Sequence, residues 1–95
     1  MEAPEILRFL LELAREAGVE VRRVPQGMGE PGEPPARSGV CRVGSRLFVL
    51  LAAADSVEDR IEALAAGLRA ADPAALEGRF LPPAVRERLE RRSGD

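Results

Sequence analysis

The chain has 95 residues, 14 cationic and 16 acidic side chains, a net charge of −2, and 45% hydrophobic content. That length holds one domain with one modest core. Every cation is arginine, and histidine, lysine, tyrosine and tryptophan are absent, which excludes histidine-dependent triads and metal hydrolase motifs and removes the usual pH switch.

The small negative charge gives no general attraction to nucleic acid or anionic membranes. Cys41 is the sole cysteine, so no intrachain disulfide can form. Glu2, Glu5 and Arg8 interrupt the start, against a signal peptide. The longest apolar run, Leu47 to Ala54, has eight residues, far short of the roughly 20 that span a bilayer. The expectation is a soluble cytoplasmic protein with no metal and no cofactor.

Residues 4 to 17 read as a helix. Pro4 suits its first turn, Glu5 its positive end, and Gly18 a left-handed cap. Its apolar side chains, from Phe9 and Leu13 through Leu10 to Leu7 and Leu11, sweep about 200 degrees, where a surface helix needs little more than about 100. Such a helix is either clasped on two sides or shared with a partner. Taking Leu7 and Leu11 as the sheet side leaves Phe9 and Leu13 as the candidate partner surface, in a homodimer or against another protein.

Val19 to Val24 alternates imperfectly, as a short strand. A loop follows at 25–38: Pro25 to Ser38 holds three Gly and four Pro, too many for a regular element, and its centre is expected to be mobile. Val40 to Val43 and Arg46 to Ala52 flank Gly44-Ser45, a dipeptide suited to a two-residue hairpin turn. Leu47 to Ala52 is apolar throughout, which predicts a central strand covered on both faces, with Leu50 joining Leu10, Leu64 and Leu68 in the core. Asp55 and Ser56 are candidate caps for a helix over 57–71 whose apolar face runs from Val57 to Ala71. A turn near 74–77 and Leu81-Pro82-Pro83 lead to a last helix carrying Val85 and Leu89, then a frayed tail at 91–95. The order predicts a single α+β domain over 1–95: a small two-layer fold of helix, three-stranded sheet with a β-hairpin, helix and short C-terminal helix.

Gly27 to Gly32 matches G-x-G-x-x-G, yet Glu33-Pro34-Pro35 follows where the dinucleotide motif needs a helix N-terminus. A plain loop is the better reading. Cys41 and Arg46 form C-x4-R in a strand, not the C-x5-R loop of a phosphatase, and no histidine is present to activate the thiol. Arg22, Arg23, Arg37, Arg42 and Arg46 give residues 19 to 50 five cations against three glutamates. They are candidate nucleic-acid or anion contacts, although single-strand binders pair such charge with several aromatics and only Phe48 is near. A solvated face that blunts edge pairing is the plainer account. Glu58 with Glu62, and Glu12 with Glu16, lie one helical turn apart without signs of burial for acid–base work.

The stretch Ser38-Gly39-Val40-Cys41-Arg42-Val43-Gly44, the apolar strand, the amphipathic helix and Phe80-Leu81-Pro82-Pro83-Ala84-Val85-Arg86 together resemble small uncharacterised bacterial proteins with no assigned activity. The strand, hairpin and helix order is also similar to the start of an IrrE-type zinc peptidase domain, whose H-E-x-x-H is missing between Asp59 and Leu68. That likeness implies at most a non-catalytic relative. The function expected is a non-catalytic protein–protein interaction or accessory module, with a small nucleic-acid-binding regulator as the alternative and an enzyme centred on Cys41 third.

Overall fold

The computed structural model describes residues 1–25, 32, 37–71 and 80–91. Six elements follow in order: α1 (Ala3–Glu16), β1 (Glu20–Val24), β2 (Gly39–Val43), β3 (Arg46–Ala52), α2 (Val57–Ala71) and α3 (Pro83–Glu90). This is the expected α+β arrangement. Most of the expected 25–38 loop, the turn at 74–77 and the tail beyond Arg91 lie outside the described residues.

α1 stops where glycine allows it to. Gly18 has φ +76°, its N–H donates to the Arg15 carbonyl, and the Val19 N–H donates to the Ala14 carbonyl at 2.9 Å. These are the two crossed bonds of a Schellman ending. The buried Val19 and Ala14 bring β1 back beneath the helix. Gly44 opens the β2–β3 hairpin with φ +62° while Ser45 keeps a negative φ, as a turn with glycine first requires.

The sheet order is β1-β3-β2, with β1 parallel and β2 antiparallel to β3. β3 is therefore central, as its apolar run predicts. Side chains alternate across the sheet, so the register sorts them into two faces. Val21 and Val49 share one face; Arg22, Leu50 and Gly39 share the other.

All three described helices serve the Val49 face. Gly67 of α2 lies directly over Val49, where a Cβ would meet Val49 Cγ2 at 2.3 Å. Leu10, Val49, Ile61, Leu64, Leu68 and Val85 are fully buried around that contact. Ser56 starts α2: its hydroxyl accepts the Asp59 N–H at 3.1 Å and its carbonyl accepts the Arg60 N–H at 3.1 Å, the N-cap role.

α3 lies against α2 and α1 and buries Val85 and Leu89, and Leu81 just before it is buried as well. The Arg88 guanidinium makes two bonds to the Glu58 carboxylate, one of them 2.8 Å. Arg69 Nη1 donates to the Leu89 carbonyl at 3.0 Å, closing the C-terminal end of α3. The Arg88 side chain beside Glu58 holds that carboxyl below its ordinary range.

Two expectations need correction. Leu50 is half-buried, not deep in the core, because it projects from β3 away from the helices. Leu13 cannot serve as a partner surface, because it is only 4% exposed within the chain. The wide apolar arc of α1 is clasped on two sides instead: α3 packs near Leu13, and Leu7 and Leu11 reach toward the ends of β1 and β3. Phe9 is half-buried and packs against the core, at the edge of a groove with Met1 and Phe80.

Leu64→Ala is expected to cost about 2–5 kcal/mol, because it empties a fully enclosed site. Gly67→Ala sets two effects against each other. Helix propensity gains about 1 kcal/mol, while forcing a methyl into buried, β-branched Val49 costs about 1–3 kcal/mol. Net destabilisation is expected, read as a lower urea midpoint; a raised midpoint would mean that α2 is not seated on Val49.

Candidate functional site: the open face of the sheet

The face opposite the helices carries Glu20, Arg22 and Val24 from β1, Arg46, Phe48, Leu50 and Ala52 from β3, and Gly39, Cys41 and Val43 from β2. Among the described residues no element covers it. Phe48, Leu50 and Cys41 are half-buried in its middle, and Val43 is 63% exposed at its rim. Neither Phe48 nor Leu50 joins the core cluster.

The charged end of this face is ordered. Glu20 Oε1 accepts from Arg46 Nη2 at 2.5 Å and Oε2 from Arg22 Nε at 3.2 Å. The Arg22 guanidinium stands 4.6 Å from the centre of the Phe48 ring, within cation–π range. The Arg46 hydrogen bond, followed by the charges of Arg46 and Arg22, holds the Glu20 carboxyl below its ordinary range. Exposed pairs of this kind contribute little stability; their effect here is to fix two guanidiniums at one edge of an apolar patch.

A second polar cluster anchors the start of β2. The Ser38 N–H donates to Asp55 Oδ2 at 2.6 Å, and the Ser38 hydroxyl accepts the Ala52 N–H at 2.9 Å. Asp55 therefore clamps the β2 entry to the β3–α2 connection, and capping falls to Ser56 alone. The Ser38 N–H, then its hydroxyl, keep the Asp55 carboxyl below its ordinary range, helped by the charges of Arg37 and Arg60.

The five candidate arginines do not form one surface. Arg22 and Arg46 share the open face through Glu20. Arg23 and Arg42 stand at alternate positions on the two edge strands, on the helix side, and Arg37 lies beside the Ser38–Asp55 clamp. The carboxylate pairs are similarly divided: Glu58 is held by Arg88 and Glu12 by Arg15 at 2.8 Å. Cys41 is unpaired and half-buried, opposite Phe48 in the register. Among the described residues no group of three or more acidic or cysteine side chains could hold a metal, and no helix is long and apolar enough to cross a membrane.

The sequence reading missed the Phe48–Leu50 surface because a continuous apolar strand signals two-sided burial. A usable signal was present in β1, where Glu20 and Arg22 share one parity, which marks a face without a packed layer. Compared with known proteins, the chain matches no family model, no curated protein sequence and no solved structure.

The Asp55 clamp has a pH signature. Its carboxyl titrates below the ordinary 3.8 in the folded chain, so its charge stabilises the fold above that value and the contribution is lost as pH falls through the lower, folded one. Asp55→Asn keeps an acceptor for the Ser38 N–H and removes the charge. It is expected to lower the urea midpoint at pH 7, with the deficit shrinking as the pH falls below the ordinary 3.8 and through the lower, folded value. An equal deficit at both pH values would place the contribution in shape and not in charge.

Proposed function

We propose that this chain is a non-catalytic interaction module that receives an amphipathic helix of a partner protein on the open face of its sheet. The observation that carries the reading is the middle of that face, which no described element covers: Phe48 and Leu50 are half-buried on a central strand whose other side is core, with half-buried Cys41 beside them on β2.

Area argues for the kind of occupant. Three strands of about five residues make a patch of about 17 by 14 Å, roughly 240 Å² in plan. A stable interface between two folded surfaces needs about 800 Å² per partner, so the patch is small for a dimer formed through this face alone. One helix about 10 Å wide and three turns long matches it and would complete a third layer. Charge argues for its composition. Two guanidiniums, Arg22 and Arg46, face one carboxylate, Glu20, so the rim carries a surplus positive charge that suits an acidic residue bordering the apolar stripe of the helix.

The nucleic-acid reading draws on one observation, the guanidinium of Arg22 stacked on Phe48, since stacking on an open sheet is how many modules hold single strands. Glu20 opposes it by occupying both cations of that face. A steep fall of single-strand binding with salt would favour it.

The test places a photo-crosslinker at the rim, in the full chain carrying Cys41→Ser and Val43→Cys. Capture of a helical segment with an acidic border is expected. Leu50→Glu and Arg46→Glu should each reduce it strongly, while Arg8→Glu, on the exposed side of α1, should not. Crosslinks to a second copy or to nucleic acid, or capture indifferent to Leu50→Glu and Arg46→Glu, would overturn the proposal.

A further inference from the structure

A second surface lies on the helix side, where β1 and β3 end. These two strands run parallel, and the groove beyond their C-terminal ends is walled by Leu7 and Leu11 of α1, by Leu51 of β3 and by Pro25 just after β1, with a volume of about 430 Å³. That is in the range of small-molecule sites, roughly 300–1,000 Å³. Two guanidiniums, Arg23 and Arg60, border it.

Neither cation is paired in the way that Arg22, Arg46 and Arg88 are. Arg60 Nε is buried and has no hydrogen-bond partner, a state that costs free energy unless an acceptor or a nearby negative charge compensates it. The carboxylate that feels Arg60 is Asp55, and it is held by the Ser38 N–H at 2.6 Å. Arg23 is exposed and makes no hydrogen bond or ion pair with a described residue. Among the described residues, positive charge without a matching anion thus meets an apolar trough.

We propose that this groove binds a small carboxylate with an apolar body, such as a medium-chain acyl or aryl acid. The carboxylate would lie against Arg60 and Arg23, since guanidinium–carboxylate bonds are short, charge-assisted and often bidentate. The apolar body would lie between the leucines of α1 and Leu51, where it removes their exposed flanks from water. The walls add no hydroxyl donors, so the site favours an acyl chain over a bare inorganic anion. The proposal is independent of the open face, which lies on the other side of the sheet.

The experiment is a titration of the full, isotope-labelled chain with sodium octanoate below its aggregation concentration, followed by amide shifts, beside octanol and inorganic phosphate. Octanoate is expected to shift the amides of Arg23, Val24, Leu51 and Ala53 saturably and to leave Phe48 and Cys41 in place. Arg60→Gln should weaken binding about tenfold, as the loss of one charge-assisted contact predicts. Because Arg60 is half-buried, Arg23→Gln provides the same reading on an exposed residue whose replacement does not disturb the core. Octanol binding as tightly as octanoate would reduce the groove to a hydrophobic patch, and phosphate binding equally well would make it a bare anion site. Either result overturns the proposal, as would shifts confined to the open face, indifference to both substitutions, or no saturable response to octanoate.

Discussion

The approach of α2 to the central strand governs this fold. At Gly67 the helix has no side chain, and the Val49 methyl occupies the place where a Cβ would stand. This brings α2 close enough to the sheet for Leu64 and Leu68 to be fully enclosed. α1 then packs along α2, and α3 fills the remaining angle between them, held by Arg88 on Glu58 and by Arg69 on the last carbonyls of α3. A helix seated further out would leave Val49 under a void, and the short α3, burying Val85 and Leu89 with Leu81 just before it, could not close it.

Among the described residues the same economy leaves the other face bare. A chain this short buries a limited fraction of its surface, and the three helices among the described residues are all used on one side of the sheet. From Leu47 to Ala52 β3 is apolar on both parities, but among the described residues the second parity is covered only by its neighbours on the flanking strands and by the Arg22 guanidinium across Phe48. The resulting surface has an apolar middle and a charged end, the composition of an interface centre with its rim.

What was legible in the sequence follows from local rules. Gly18 and Gly44 mark the two points where the chain needs positive φ, and they set the end of α1 and the turn of the hairpin. The apolar spacing gives the order of the elements, and the uniform run in β3 gives its central place. What was not legible depends on three-dimensional counting. Whether Leu50 is buried turns on how many layers the helices can form, and whether Leu13 is free turns on how α3 packs. Neither is encoded in the neighbourhood of the residue itself. The division of labour between Asp55 and Ser56 was hidden for a similar reason, since Asp55 finds its partner 17 positions away at Ser38.

Arg22 and Arg23 show how strand geometry distributes one charge type between two surfaces. Successive residues of a strand point to opposite faces, so one dipeptide supplies a cation to the open face and another to the groove. Their surroundings then separate them chemically. Arg22 meets Glu20 and Phe48 and is fixed, while Arg23 stands beside an apolar trough with no carboxylate bonded to it among the described residues. A shift of one residue in the pairing of β1 with β3 would exchange the two roles, placing Glu20 on the helix side and Val21 on the open face. The register that keeps Val21 beside Val49 against the helices therefore also determines which guanidinium each surface receives. In this chain core packing and surface chemistry are set by the same alignment of one short strand.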